Sequence, residues 1–270
     1  MFGFIRKELI IFLSSVRYNT RIIVPSWVEH SDEYLNSSSR YFPLVGWIVG
    51  TATWFVLWVS DLSLTWEISI VLSMAVSVLV TGAFHEDGFT DVCDGFGGGW
   101  TKEKILEIMK DSRIGAFGTI GIILVLLLKF VCYKSLEEFS IEVLFITILS
   151  SHSSSRFWAL FTAKTLSYVR EDQLSKAKPI IQTLKTSNVV IAGIWGLAPW
   201  LAFFHNAYLP SDRVFGFLLY PFLLQTFGYL YLRSFYKKWL GGYTGDCLGA
   251  VQQVTELLYL IGIVVAWKSF

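Results

Sequence analysis

The feature that most constrains this chain is the recurrence of apolar blocks long enough to cross a bilayer. A hydrocarbon core of about 30 Å takes about 20 mostly apolar residues as helix. Seven stretches of the 270-residue chain meet that need: Phe42 to Ser60, Leu64 to Phe84, Ile114 to Tyr133, Ile141 to Ala163, Asn188 to His205, Arg213 to Leu232 and Leu248 to Trp267. Hydrophobic residues make up 54% of the chain and charged ones only 16%, far from the quarter or so usual in soluble domains. The reading is an all-α, polytopic integral membrane bundle forming a single domain over residues 1–270. The fourth stretch is interrupted by the polar run Ser150 to Arg156. Gly46 and Gly50 in the first stretch predict close helix packing, and Pro199 and Pro221 predict kinks.

The segment Phe2 to Tyr18 mixes Phe, Ile and Leu with Arg6, Lys7, Glu8 and Arg17. It reads as an amphipathic helix in the interface, with no small-residue cleavage site of a signal peptide after it. Placing the N-terminus inside puts most lysines and arginines inside, among them Arg40, Lys102, Lys164, Lys176 and Lys237. Only Lys129, Lys134, Arg213 and Lys268 then fall outside. The asymmetry points to a multi-pass protein of a bacterial-type inner membrane, with the N-terminus cytoplasmic and the C-terminus outside. A net charge of +1 gives no basic footprint for nucleic acid. The sequence is compatible with a homo-oligomer without specifying one.

Two inside segments carry chemistry. The first, His85 to Arg113, holds Glu86, Asp87, Asp91, Asp94, Glu103, Glu107 and Asp111. As a helix it sets Asp87, Asp91 and Asp94 on one face at spacings of four and three, where like charges repel unless a cation sits among them. Glu107 and Asp111 repeat the spacing of four. Hard oxygen donors favour Mg²⁺ or Mn²⁺ over zinc, and zinc at His85, Cys93 and Cys247 lacks ligand spacing. The glycines Gly95, Gly97, Gly98 and Gly99 let backbone approach a ligand or turn the chain. The second segment, Leu240 to Leu248, adds Gly242, Thr244 and Asp246 in a second glycine-rich turn. Arg156, inside an apolar stretch, is costly there and suggests a phosphate or carboxylate partner. His152 reads as a hydrogen-bonded core residue. His85, at the head of the acidic segment, is a candidate base. The alternative to a solvated acidic loop is a cation site that meets phosphate at the water boundary.

These residues resemble a known pattern. Gly82 to Gly95, GAFHEDGFTDVCDG, is similar to the G-x-H-x-D-G-x-x-D-x-x-D-G signature of the cobalamin synthase family, the adenosylcobinamide-GDP ribazoletransferases. Phe42 to Gly46, Leu106 to Gly118 (LEIMKDSRIGAFG) and Gly241 to Ala250 (GGYTGDCLGA) resemble three further family stretches in the same order. Ser155 with Arg156, and more faintly Tyr168 to Glu171, also align. Glu86 stands where the family is usually apolar, and Ser175 where glycine is common.

The resemblance implies an integral membrane enzyme that needs Mg²⁺. It joins adenosylcobinamide-GDP to α-ribazole or its 5′-phosphate and releases GMP. Its implied metal set is Asp87, Asp91, Asp94 and Asp111. Lys110, Arg113 and Arg156 would meet phosphate, and Glu107 or His85 would take the hydroxyl proton. Gly95, Gly242, Thr244 and Asp246 would close the substrate site. Asp91-x-x-Asp94-Gly95 with Glu107-x-x-x-Asp111 is also similar to half-motifs of the CDP-alcohol phosphotransferases, which make a lipid-synthesising relative one alternative and a cation-coupled transporter another.

Overall fold

The computed structural model describes residues 2–29, 31–170, 184–205 and 211–269, so Glu171, Ser175 and Lys176 lie outside the described residues. Eleven α-helices occur among the described residues: α1 (Phe2–Asn19), α2 (Asp32–Ser38), α3 (Phe42–Asp61), α4 (Trp66–Thr81), α5 (Phe84–Gly98), α6 (Lys102–Ile108), α7 (Ala116–Lys134), α8 (Ile141–Thr165), α9 (Thr186–Leu197), α10 (Ser211–Leu240) and α11 (Gly245–Lys268). One-turn 3₁₀ helix (Ser39–Tyr41) leads into α3, and a longer 3₁₀ segment (Ala198–His205) extends α9 from just before Pro199. Pro221 lies inside α10. The protein is an all-helical, multi-pass membrane bundle.

Five stretches are long and apolar enough to cross a membrane: Asp32–Asp61, Ala116–Lys134, Thr186–Phe204, Arg213–Leu240 and Gly245–Lys268. The other two expected spans depart from simple rods. The second, Leu64 to Phe84, holds the 16-residue α4, which meets α5 at an 89° bend across a short break. Gly82 (φ 67°) and Ala83 (φ 59°) both occupy the left-handed region at that corner, an arrangement a non-glycine residue adopts only when its surroundings hold it there. We read α4 as the crossing and α5 as a crosspiece at its end. The fourth, α8, has 25 residues, about 38 Å of helix, but is too polar to register as an apolar span.

The reason is burial. Eighteen residues of α8, from Val143 to Ala163, are buried among α3, α9 and α11. Its serines need no lipid-compatible surface, because each hydroxyl that bonds does so inside the protein. Ser151 donates to the Ile148 carbonyl (2.8 Å), Ser154 to that of Ser150 (2.6 Å), and Ser153 to those of Ser150 (3.3 Å) and Gly196 (3.1 Å). Such small residues let backbones approach. Gly46 answers from α3, as its spacing predicts: a Cβ there would stand 2.5 Å from the His152 carbonyl oxygen, and one at Gly50 3.1 Å from Leu149 Cα.

The same interior holds a charged cluster. Lys129, on the inner face of α7 rather than in an outside segment, donates to Glu256 (2.6 Å) and Gln253 (2.7 Å) of α11. His152 Nδ1 lies 3.1 Å from the other Glu256 oxygen, which also accepts from Gln252 (2.5 Å). Gln253 donates to Glu86 of α5 (2.9 Å), and Gln252 to Ser155 (3.2 Å). Hydropathy averaged over α7 or α11 hides single charges of this kind.

At one end of the bundle, α1 is strapped across the entry to α3. Glu8 accepts from Arg40 (2.6 Å) and Tyr41 (2.7 Å), while Phe4, Ile5 and Leu9 remain exposed on α1. Exposed apolar side chains beside charged ones fit the expected interfacial helix.

Candidate active site

The acidic segment forms α5, and α5 packs on the first turns of α11 with almost no side chain between them. A Cβ on Gly88 would stand 3.0 Å from Asp246 Cα, and one on Gly249 3.0 Å from the His85 carbonyl oxygen. The contact brings Asp87 and Asp91 of α5 to Asp246, as the two acidic segments suggest. A third piece of chain completes the junction. Val169 donates its N–H to the Tyr243 carbonyl (3.0 Å), and Tyr243 donates to Ser167 (2.9 Å), forming an isolated parallel bridge. Gly242 sits in this turn, where a side chain would collide with Ser167. The bridge aims Arg170 at Asp246, to which it donates at 2.6 Å, and at the Met109 carbonyl at 3.3 Å.

A cavity of about 270 Å³ opens at this junction. His85, Asp87, Asp246 and Arg170 line it, together with Tyr18, Phe42, Phe84, Tyr168 and Tyr243. His85 is buried, its ring stacked on Phe42 at 5.7 Å, and its Nε2 makes no hydrogen bond. Burial and the nearby Arg156 hold the imidazole well below its usual pKa, so it is neutral at pH 7. Asp91, one turn beyond Asp87, is half-buried. Burial, then the Asp246 and Asp87 charges, push its carboxyl up to about 7 against the opposing pull of Arg170. Among the described residues these three carboxylates share one field, and the Arg170 guanidinium bonds one of them, Asp246.

The remaining sequence candidates stand elsewhere. Asp94 turns from its neighbours on α5 and caps α7: its two oxygens accept the N–H groups of Gly115 (2.7 Å) and Gly118 (2.8 Å). Gly95 packs against Met109. Glu107 is exposed on α6 and paired with Lys104 at 2.9 Å. Asp111 lies beyond the end of α6, so its spacing of four from Glu107 is not helical. It is paired with Arg113, whose bonds hold its carboxyl down at about 2, and the Arg113 side chain is 87% exposed. Lys110 is exposed in the same turn. Thr244 caps α11, accepting from the Cys247 N–H at 3.3 Å. Arg156 is behind the cavity wall. Its guanidinium lies 5.8 Å from the Phe42 ring centre and donates to the His152 carbonyl at 2.7 Å. Arg170 is the residue that sequence reasoning left without a role; the faint match at Tyr168 to Glu171 was its only signal.

Among the described residues, no three of His, Cys, Asp and Glu already close around a metal ion. The donor set at the junction is nonetheless all oxygen, and magnesium is usually held by one or two carboxylates with substrate phosphates completing its shell. One or two of Asp87, Asp91 and Asp246, with substrate phosphates, could serve a cation of that kind.

Comparison with known proteins agrees with the residues. A family model described as cobalamin-5-phosphate synthase matches residues 11–264. An adenosylcobinamide-GDP ribazoletransferase of Leptospira interrogans is 46% identical over 262 residues, 96% of each chain. Proteins of the same description from Shewanella frigidimarina and Ralstonia pickettii are each 41% identical, over 94% and 95% of both chains. No solved structure matches the chain.

Proposed function

The chain belongs to the cobalamin-5-phosphate synthase family, and from that membership together with the cavity geometry we infer its reaction and the residues that perform it. It transfers the adenosylcobinamide-phosphate group of adenosylcobinamide-GDP to α-ribazole or its 5′-phosphate, releasing GMP, in cobalamin biosynthesis. The observation that carries the site assignment is the convergence of Asp87, Asp246 and Arg170, from three separate stretches of chain, on one cavity, with Asp91 in their electrostatic field.

The ribose hydroxyl of the acceptor attacks the phosphorus that bears the cobinamide. A new P–O bond forms, the phosphoanhydride bond breaks, and GMP departs with the bridging oxygen. In such transfers the protein mainly positions the groups and neutralises charge. Asp87, Asp91 and Asp246 would hold Mg²⁺, which supplies charge neutralisation at the diphosphate. Arg170 is aimed into the same space and offers a planar fork to phosphate oxygens. His85 lines the cavity with an unbonded Nε2 and is placed to accept the hydroxyl proton, as a weaker base than a free imidazole because burial and Arg156 oppose its charge. Asp94 keeps α7 docked against α5, and Arg156 supports the wall through Phe42. Glu107, Lys110, Asp111 and Arg113 take no step in the transfer.

The cavity end of the bundle also gathers Arg40, Lys102, Lys104, Lys164, Arg170, Lys237 and Lys238 near the helix ends that border it. The positive-inside rule makes this the cytoplasmic face of a bacterial inner membrane. The decisive assay uses purified protein in lipid nanodiscs with Mg²⁺, adenosylcobinamide-GDP and α-ribazole. Release of GMP with formation of the joined corrinoid is expected. Absence of both, in folded protein, overturns the reading.

A further inference from the structure

The two substrates differ greatly in bulk, and the cavity admits only one of them whole. Sites for a drug-sized ligand start near about 300 Å³, so 270 Å³ suits a nucleoside-sized body. A corrin macrocycle with its adenosyl ligand is several times larger. The wall includes five phenyl and phenol rings, two pairs of which touch: Tyr18 meets Phe84 edge-on at 5.6 Å, and Tyr168 meets Tyr243 at 5.6 Å.

Two nucleosides take part in the reaction, the ribazole acceptor and the guanosine of the leaving group. They differ in what their bases demand. Guanine carries donors and acceptors around its edge, whereas the benzimidazole of ribazole is apolar apart from the ring nitrogens. The neutral amide and serine groups on the wall already donate to their own helices: Asn19 to the Ser15 carbonyl (2.8 Å), Ser38 to Leu35 (2.7 Å) and Ser39 to Asn36 (2.9 Å). Guanine oxygen and nitrogen acceptors would lose water here without gaining those donors, which is costly. The benzimidazole, with a single free ring-nitrogen acceptor, loses far less.

We infer that this cavity is the acceptor subsite: the aromatic base of α-ribazole packs among Phe84, Tyr18 and Tyr168, with its ribose toward Asp87 and Asp246. The corrinoid remains outside the cavity and presents only its diphosphate. This assignment rests on the transfer reading above and adds which substrate the cavity takes.

The test begins with calorimetric titration of the wild-type protein by α-ribazole, without Mg²⁺ or corrinoid. Saturable binding that guanosine does not displace is expected. Displacement by guanosine, or no binding, overturns the assignment. In active enzyme, Tyr168→Ala and Phe84→Ala are expected to raise KM for α-ribazole by about tenfold or more, the scale of losing one base-stacking ring. KM for adenosylcobinamide-GDP should move by less than about twofold. The converse pattern, or no change in either KM, also overturns it. Tyr168→Leu and Phe84→Leu, which keep much of the volume, serve if an alanine variant does not fold. Ribazole binding without GMP release by the wild type would instead sink the transfer reading and leave the subsite standing. GMP release with an unaltered ribazole KM in the variants would do the opposite.

Discussion

Two charged regions lie within one bundle, and they are built on opposite terms. The cluster of Lys129, Glu256, His152, Gln252 and Gln253 is sealed in the interior, and both oxygens of Glu256 are bonded. The junction of Asp87, Asp91, Asp246 and Arg170 lies beside a cavity lined by Asp87, Asp246 and Arg170, and among the described residues its three carboxylates have one guanidinium bond, from Arg170 to Asp246. Buried charges that satisfy one another hold a structure together and have little left to offer a ligand. Carboxylates left short of positive charge beside an opening have capacity to spare for a cation and phosphate. An intramembrane charge is a functional suspect by default, but the interior cluster shows that partner count discriminates better than depth.

Substitutions can break or sharpen that contrast. The largest effect is expected from Lys129→Met, which strands Glu256 beside a partner that no longer bears charge. Removing one member of a buried pair costs about 3–5 kcal/mol, to be read as a drop in thermal unfolding temperature and loss of folded protein on size exclusion. Adding Glu256→Leu to that variant should recover much of the stability; if it does not, the cluster does more than hold helices together. At the junction the pattern reverses. Asp91→Asn should leave folding intact and lower GMP release by at least about a hundredfold, more than loss of a supporting contact to a metal ligand. Normal turnover at saturating Mg²⁺ would remove Asp91 from the site.

Smaller effects separate the junction from its surroundings. Arg170→Lys keeps the charge but not the planar fork, and GMP release should fall by about tenfold, the scale of one lost supporting contact; unchanged kinetics would reduce Arg170 to a neutraliser of Asp246. Asp94 distinguishes capping from metal binding. Asparagine keeps one of the two acceptor oxygens, so Asp94→Asn should lose part of the capping stability and retain most activity, whereas Asp94→Ala, which loses both bonds, should cost about 1–2 kcal/mol in a thermal unfolding measurement. Loss of GMP release in the Asn variant, with most stability kept, would return Asp94 to the cation set. Glu107→Gln, on the exposed face of α6, should alter GMP release by no more than about twofold.

Much of the architecture is legible in the sequence because lipid forces it to be. Apolar length predicts most crossings, and the glycine pair in α3 predicts its close neighbour. The reading fails where a helix never meets lipid. Nothing requires α8 to be apolar, so its serines lower the very signal that spans are read by, and Lys129 on α7 is averaged away among leucines. At the site, periodicity places Asp87 and Asp91 together because both belong to one helix. Spacing alone gives Asp94 the same standing, and only the position of the α7 N-terminus shows that its oxygens are already taken. Arg170 is 76 residues from the aspartate it pairs with, a separation that no local pattern spans.

The glycine contact between α5 and α11 has one more consequence. With no side chain at Gly88 or Gly249, nothing can be trimmed to bring the two helices nearer, and any added methyl acts as a shim that wedges them apart. The gap between Asp87 and Asp246 is therefore cast when the chain folds, before either substrate arrives. An enzyme built this way has its acids waiting at a fixed gauge, and a mutation to tune that gauge has only one direction in which to go.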